Sequence, residues 1–297
     1  GMSGIAEVLI NLGFAVSGSD QAVNSTTRRL AGLGARVHQG HSAEWVAGAD
    51  VVVSSTAVSS DNPELEAARE ARIPIVARAQ MLGELMRFRR GIAVAGTHGK
   101  TTTTSLIASV LAEAGMDPTY VIGGLLNSTG SNARLGTVEY LVAEADESDG
   151  SFLYLQPIIE LVTIIDRDHL GSYENDFGRL CSAFTEFVHH LPFYGVAVMC
   201  LDDPVIADLL PTLSRTTITY GLDSQSDVTA RDIRQCGTQI QFSIDFPDDN
   251  APIKTSLGLP GYHNVRNALA AAAVGWELGV SREAIARGLS QFAGIGR

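Results

Sequence analysis

Short apolar runs alternate with amphipathic stretches over residues 1–89. The pattern predicts, in chain order, a helix over 5–12, a strand over 14–17, a helix over 26–32, a strand over 50–55, a helix over 62–72, a strand over 73–77 and a helix over 80–87. Strands that alternate with helices in this way are typical of α/β proteins with parallel sheets.

A second α/β pattern follows without a break. The predicted elements are a strand over 92–95, a helix over 101–114, strands over 140–143, 161–165 and 196–200, a β-rich stretch over 216–256, and helices over 264–278 and 282–292. This alternation is typical of a doubly wound sheet. We therefore predict an α/β protein with a Rossmann-like N-terminal domain over 1–88, a P-loop-type, doubly wound central domain over 89–293, and the start of a linker at 294–297.

The two ends of the sequence indicate a piece of a longer protein. Residues 1–4 resemble a glycine turn that normally follows a strand, and residues 292–297 form a turn with nothing after it. We expect that the first strand of the N-terminal domain is missing and that a third domain is absent.

The net charge of the chain limits the kinds of molecule that it can bind. The formal net charge is −12 and the pI is about 5.0, which argues against nucleic acid or an anionic membrane as a partner. No apolar run approaches the roughly 20 residues of a spanning helix, and no secretory leader precedes the first motif, so we expect a cytoplasmic protein.

Cys181, Cys200 and Cys236 lack C-x-x-C spacing and are interpreted as ordinary thiols.

The strongest candidate site joins the strand over 92–95 to the following helix. Its residues are Gly96, Thr97, His98, Gly99, Lys100, Thr101 and Thr102. Glycines let the backbone approach a phosphate, the amides of the helix N-terminus point at it, and the lysine adds a positive charge. Lys100 is one of only two lysines in the chain, and the Thr101 hydroxyl is placed to bind magnesium. Val94 replaces the first glycine of the usual phosphate-loop pattern, so a plain strand–turn–helix remains an alternative.

Two polar groups follow other predicted strands. Glu144 begins an acidic cluster that runs to Asp149, and a carboxylate at a strand end is a suitable magnesium ligand. The competing interpretation is a solvated acidic loop. His169 follows the strand over 161–165 and is a candidate ligand for a second metal or a phosphate, although a histidine in this position is often structural.

The start of the predicted helix over 264–278 carries His263, Asn264 and Asn267. Amides both donate and accept hydrogen bonds, as a purine edge requires, and an imidazole stacks on a base. An asparagine cap of the helix explains the same residues. In the first domain, the glycine turn that contains Ser3 is a candidate phosphate site, and Asp20 is a candidate ribose ligand.

These motifs together resemble the Mur ligases of peptidoglycan synthesis. The resemblance rests on residues 95–103, 144–149, Asp168-His169 and 259–267, and it spans essentially the whole chain. Within the family it is strongest to the members that join L-alanine to UDP-N-acetylmuramate. It implies a UDP-sugar domain followed by an ATPase domain, with ATP and Mg²⁺ as cofactors. It also implies a reaction in which the muramate carboxylate takes the γ-phosphoryl group and the alanine amine then displaces phosphate.

The resemblance also implies roles for individual residues. Lys100 contacts the β- and γ-phosphates, Thr101 and Glu144 bind one magnesium, and His169 binds a second. His263, Asn264 and Asn267 hold the adenosine. The residues implied for the sugar nucleotide are His41, Ser54, Ser55 and Thr56 near the diphosphate, Asp20 near the uridine, and Asn132 and Arg134 facing the sugar.

Two positions depart from the family pattern. Ile164 stands where asparagine is common and Gly171 where aspartate is common, which removes polar groups near His169. No lysine lies between Thr101 and Ile253, so a carbamylated lysine cannot bridge two metals there.

Three alternative functions remain at this point. One is a ligase that attaches a recycled tripeptide to the same sugar nucleotide, although Ser148 favours the alanine enzymes. The others are a nucleotide-binding module without ligase activity and an NAD-dependent reductase, which lacks a complete fingerprint. We expect the piece alone to bind UDP-sugar and ATP without turnover; the possibility of a homo-oligomer is left open.

Overall fold

The computed structural model describes residues 2–126, 131–137, 139–168, 170–248 and 250–296. The α-helices are α1 (Met2–Asn11), α2 (Ser25–Gly32), α3 (Pro63–Glu70), α4 (Arg78–Arg87), α5 (Lys100–Glu113), α6 (Phe177–His189), α7 (Pro204–Leu209), α8 (Tyr262–Glu277) and α9 (Arg282–Ser290). Within the described residues, no helix has the length and apolar character needed to cross a bilayer.

The strands follow the same alternation. They are β1 (Ser17–Asp20), β2 (Arg36–Gln39), β3 (Val52–Ser54), β4 (Ile75–Ala77), β5 (Arg90–Ala95), β6 (Thr119–Leu126), β7 (Ser131–Arg134), β8 (Tyr140–Glu144), β9 (Ile159–Val162), β10 (Val196–Cys200), β11 (Thr216–Gly221), β12 (Val228–Cys236), β13 (Gln239–Asp245), β14 (Ile253–Leu257) and β15 (Ile295–Gly296).

The part of the chain before β5 contains two small parallel sheets, in which β1 pairs with β2 and β3 pairs with β4. Asn24 begins α2 with a reciprocal cap, because its side chain accepts from the Thr27 amide while the Thr27 hydroxyl accepts from the Asn24 amide. The strand expected over 14–17 was misplaced. The described strand begins at Ser17, where pairing with Arg36 starts, and Phe14 is instead exposed.

A single large sheet organises the rest of the chain. Its order is β14-β13-β12-β11-β10-β9-β5-β8-β6-β15, with β7 also paired to β6. The seven strands from β6 to β12 in this order are parallel, and β13 and β14 extend the sheet as antiparallel strands. The predicted doubly wound α/β fold is therefore present, and the β-rich stretch over 216–256 forms one end of the sheet.

The order of the central strands places the loop after β5 at a crossover. The chain moves from β5 to β6 and β8 on one side, and then to β9 on the other. In α/β sheets ligands bind where the strand order reverses, outside the carboxyl ends of the strands. Residues 96–99 lie at this point, between the ends of β8 and β9.

Two features of this sheet were not predicted. The strands β6, β7 and β15 of this sheet were missed, as was β2 of the first small sheet, and β9 ends at Val162, three residues before the predicted end. The early end has a physical cause: Thr163 and Ile164 leave the sheet and bond to the loop after β5.

Small residues allow the helices on one face of the sheet to pack closely. Residues 268–274 of α8 are all buried. At Gly288 of α9 an added Cβ would lie 2.7 Å from the Cα of Val110 in α5. The Ser109 hydroxyl also donates to the Gly288 carbonyl oxygen at 2.8 Å. These contacts fix α5, which carries Lys100 at its first position.

A carboxyl group lies in the middle of the apolar sheet. Glu160 of β9 is fully buried between Ala93 and Ala197 of the neighbouring strands, and neither of its oxygens has a hydrogen-bond partner among the described residues. Burial raises the pKa of Glu160 well above its usual value of 4.5, and the charge of Arg215 offsets this only in part. Glu160 therefore reduces the stability of the fold at neutral pH.

Replacing Glu160 with methionine, which has a similar volume and no charge, is expected to raise the free energy of unfolding at neutral pH by about 1–3 kcal/mol. A raised pKa makes the wild type most stable below the unfolded value of 4.5, with stability lost as the pH rises toward the folded pKa. The advantage of Glu160→Met should therefore grow with pH over that interval. Urea unfolding between about pH 4 and pH 8 measures it. An equal gain from Glu66→Met, at an exposed helix position, would contradict the explanation.

Candidate functional site

The loop between β5 and α5 has a backbone that only glycine satisfies at two positions. Gly96 and Gly99 have φ angles of 121° and 86°. An added Cβ at Gly96 would lie 2.2 Å from Thr163 Oγ1, and at Gly99 it would lie 2.8 Å from Asn267 Oδ1. Both the dihedral angles and the neighbouring atoms therefore exclude a side chain.

The segment that continues β9 binds this loop along its length. The Thr97 amide donates to the Ile164 carbonyl oxygen at 2.8 Å, and the Thr97 hydroxyl accepts from the Asp166 amide at 2.9 Å. The Thr163 hydroxyl lies 2.5 Å from the His98 carbonyl oxygen and 3.2 Å from that of Ala95. The loop is thus held in shape by the protein itself. As at any helix N-terminus, the first amides of α5 have no partner within the helix and can donate to an anion such as a phosphate.

Asp203 supports the segment from behind. Its carboxylate, which is buried, accepts from the Ile165 amide at 3.1 Å and from the Ile206 amide at 2.9 Å, where it caps α7. The end of β10 is therefore connected to the segment that binds the loop. Sequence analysis did not identify Asp203 or Thr163, because their contacts depend on which strands are neighbours.

The Lys100 ammonium lies within hydrogen-bond reach of four oxygens, the most distant of which is the Thr97 carbonyl oxygen at 3.5 Å. Its Nζ lies 2.6 Å from the Gly96 carbonyl oxygen, and 3.0 and 2.8 Å from Oε1 and Oε2 of Glu147. The Glu147 residue is 3% exposed, and burial raises the pKa of its carboxyl although Lys100 opposes the rise. Sequence analysis placed Glu147 in the acidic cluster without giving it a partner.

The other members of the acidic cluster have different surroundings. Glu144 ends β8 directly beside Val94 of β5, is half-buried, and therefore lies at the sheet edge that also carries the loop and Thr101. Burial alone would raise the pKa of Asp146, but hydrogen bonds from Ser148 and the charge of Arg78 outweigh it, so the pKa is lowered. The solvated-loop interpretation therefore fails for Asp146 and Glu147, which make specific contacts.

Three exposed residues in and beside the loop have side chains that could bind a metal ion. His98 Nε2 is 3.2 Å from Asp168 Oδ2, and ligand atoms of His98, Asp166 and Asp168 all lie within 4.8 Å of one another. All three side chains are exposed. His169, which was predicted to bind a second metal, lies outside the described residues.

The start of α8 reaches the loop from the opposite side. Asn264 and Asn267 are buried, and a chain of hydrogen bonds runs from Asn267 to Asn264 and on to the Pro260 carbonyl oxygen at 3.3 and 2.8 Å. The residue that caps α8 is Gly261, so the alternative in which Asn264 caps the helix is wrong. His263 is exposed next to Gly261. Asn267 thus lies against Gly99 of the loop, and Asn264 is connected to the loop through its hydrogen bond with Asn267.

The predicted residues of the first domain lie in α1, at the ends of strands and in the turns that follow them. Asp20 ends β1 and Ser54 ends β3, with Ser55 and Thr56 in the turn that follows, while Ser3 lies in the first turn of α1. His41 Nδ1 lies 3.1 Å from Ser19 Oγ and 2.9 Å from Glu64 Oε1. Glu64 was not predicted, and it connects the end of β2 to the start of α3.

The ion-pair partner of Arg134 is an acidic residue and not one of the predicted site residues. Its guanidinium pairs at 2.8 Å with Asp117, which precedes β6, and this holds it toward the amino ends of the central strands. Asn132 belongs to β7, but its side chain lies outside the described residues.

Family models match both parts of the chain. Residues 94–275 match the family model of the Mur ligase middle domain, and residues 1–90 match that of the Mur ligase family, catalytic domain. Over all 297 residues the chain is 60% identical to UDP-N-acetylmuramate–L-alanine ligase of Xylella fastidiosa (strain M23). The whole chain takes part in this match and spans 62% of that relative's length.

Two crystal structures share the fold over the whole chain. The UDP-N-acetylmuramate-alanine ligase of Thermotoga maritima has a TM-score of 0.88 at 29% identity, with 67% of its chain covered. The UDP-N-acetylmuramate:L-alanyl-gamma-D-glutamyl-meso-diaminopimelate ligase of Neisseria meningitides has a TM-score of 0.89 at 27% identity, with 96% covered. The Xylella fastidiosa relative and both crystal structures match the whole chain, which includes the part with the two small sheets and the part with the large sheet.

Thr163→Val keeps the shape of the side chain and removes the hydroxyl that bonds to the loop. We expect the Kd of ATP in the presence of Mg²⁺ to rise about 3- to 10-fold, because one hydrogen bond that shapes the loop contributes about 1 kcal/mol. Thr163→Ser retains the hydroxyl and should stay within about 2-fold of the wild type. Isothermal titration calorimetry measures both. Equal affinities for the valine variant and the wild type would show that the hydroxyl does not shape the site.

Proposed function

The chain belongs to the Mur ligase family, and we propose that it forms the sugar-nucleotide and ATP-binding part of a ligase that joins L-alanine to UDP-N-acetylmuramate. The observation that carries the proposal is the lysine-bearing loop at the crossover between β8 and β9, in a chain 60% identical to UDP-N-acetylmuramate–L-alanine ligase. The family is ATP-dependent. Use of ATP implies a cytoplasmic location.

The proposed reaction has two steps. The muramate carboxylate attacks the γ-phosphorus of ATP, which forms an acyl phosphate and releases ADP. The alanine amine then attacks the acyl carbon, an amide bond forms, phosphate leaves, and the amine gives up a proton. Lys100 and the amides of the α5 N-terminus are the groups of this chain that would stabilise the charge on the transferred phosphoryl group.

Magnesium fits the proposed site by the chemistry of its ligands. The Thr101 hydroxyl and the Glu144 carboxylate are oxygen donors of the kind that Mg²⁺ prefers, and they lie at the same edge of the sheet. When bound there, the ion would screen the negative charge of the phosphates. For a second magnesium ion, His169 is the only ligand that we propose.

The remaining binding residues are proposed from their positions. Asn264, Asn267 and His263 would hold the adenosine beside the loop, with the amides kept in orientation by their own hydrogen bonds. In the first domain, Asp20, His41 and the turn after β3 lie at the carboxyl ends of parallel strands, as a UDP-sugar site requires. A boundary between the two domains near residue 88 agrees with the small sheets ending before β5.

The chain spans 62% of the length of its curated relative, so we propose that it binds both nucleotides but needs the remaining part for turnover. Lys100→Met should weaken ATP binding by at least about 10-fold, because a charge-assisted contact to phosphate is lost. Lys254→Met, at an exposed strand position, should bind as the wild type does. Calorimetry with ATP and Mg²⁺ compares the three proteins.

The choice of substrate is tested on the longer protein that contains this chain. Phosphate release should require UDP-N-acetylmuramate, ATP, Mg²⁺ and L-alanine together, and Lys100→Met should abolish it. Release with the tripeptide L-alanyl-γ-D-glutamyl-meso-diaminopimelate but not with L-alanine would assign the chain to the other ligase. Release by the 297-residue chain alone at the rate of the longer protein would contradict the proposed division of labour.

A further inference from the structure

We propose, on the basis of the ATP site proposed above, that Glu147 is a positioning residue that holds Lys100 in the empty loop and yields it to the phosphates when ATP binds. Sequence motifs identify the lysine of such a loop, but they do not identify the anion that holds it before the nucleotide arrives.

The contacts of the ammonium require such an exchange. A lysine ammonium has three N–H donors, and four oxygens already lie within hydrogen-bond reach of Lys100 Nζ. They are the two carboxylate oxygens of Glu147 and the carbonyl oxygens of Gly96 and, at 3.5 Å, of Thr97. A phosphate oxygen that binds this nitrogen must therefore replace at least one of them. Both carbonyls belong to the loop backbone, so the Glu147 carboxylate is the partner that can be exchanged.

The backbone of Glu147 is held in place by two hydrogen bonds to its carbonyl oxygen. The Tyr173 hydroxyl donates to the Glu147 carbonyl oxygen at 2.5 Å, and the Gly150 amide donates to the same oxygen at 3.0 Å. Tyr173 is itself buried. The carboxylate is therefore kept beside the loop, where it orients Lys100 before ATP arrives and where its negative charge opposes the incoming phosphates.

The neighbouring carboxylate provides a matched comparison. Asp146 carries the same charge one residue earlier, but its oxygens are engaged by Ser148 and by the Arg78 guanidinium at 3.4 Å. Lys100 acts on Asp146 through space, without a hydrogen bond to its carboxylate among the contacts described here. Removing either negative charge changes the electrostatic potential around the loop in a similar way. Only removal of the Glu147 charge also breaks the ion pair with Lys100.

The first test is the affinity for ATP in the presence of Mg²⁺. Glu147→Gln keeps the size of the side chain and removes its charge, so ATP should bind about 3- to 10-fold more tightly. Asp146→Asn should change the Kd by less than about 2-fold. A residue that only supports the fold would give the opposite sign, because its loss would loosen the loop and weaken binding.

The second test observes Lys100 directly. The chain has only two lysines, so lysine labelled with ¹⁵N and ¹³C gives one side-chain signal for Lys100 and one for exposed Lys254, which serves as an internal reference. In the empty wild-type protein the Lys100 ammonium should exchange slowly with water, because its three donors are bonded. ATP with Mg²⁺ and the Glu147→Gln substitution should each shift the Lys100 signal and leave that of Lys254 in place.

The outcomes separate this inference from the proposed function. Wild-type protein that does not bind ATP would overturn both. ATP binding with a Glu147→Gln affinity equal to or weaker than that of the wild type would overturn only the role of Glu147, as would equal tightening by Asp146→Asn. If Glu147→Gln does not fold, a Lys100 signal in the wild type that ATP leaves unchanged would overturn the exchange by itself.

Discussion

The loop between β5 and α5 is packed so closely that neither of its glycines has room for a Cβ atom. The space at Gly96 is filled by Thr163 and the space at Gly99 by Asn267. These two neighbours come from the continuation of β9 and from α8, so the shape of the loop depends on the strand order of the sheet and on the close packing of its helices. A loop that is shaped before its ligand arrives loses little conformational entropy on binding.

Charge imposes the second constraint on this site. A protein with a net charge of −12 repels a nucleotide over most of its surface, so at the proposed site the attraction would come from Lys100 and from the oriented amides at the N-terminus of α5. Removing one partner of a buried ion pair leaves an uncompensated charge. The contact between Lys100 and Glu147 avoids that cost in the empty loop, and it makes the carboxylate part of the balance that sets nucleotide affinity.

The sequence was sufficient for the fold class, the family and the candidate loop, because the loop, Glu144 and the Asn264–Asn267 pair all lie where an apolar run begins or ends. It was not sufficient for the partners of these residues. That Thr163 bonds to the loop follows from β9 lying beside β5, and that Glu147 reaches Lys100 follows from β8 lying on the other side. Strand neighbours are long-range features that periodicity does not encode. Glu160 was missed for the same reason, since an isolated carboxylate in an apolar run gives no sign of its burial.

The central claim is that the protein shapes the loop for a nucleotide in advance. A crystal structure of the chain with Mg²⁺ and a non-hydrolysable ATP analogue tests it most directly. The account predicts phosphates at the amides that begin α5, Lys100 Nζ in contact with them, and loop Cα positions within about 1 Å of those described here. Phosphates bound elsewhere, or a loop rebuilt around the nucleotide with its bonds to residues 163–166 broken, would contradict it.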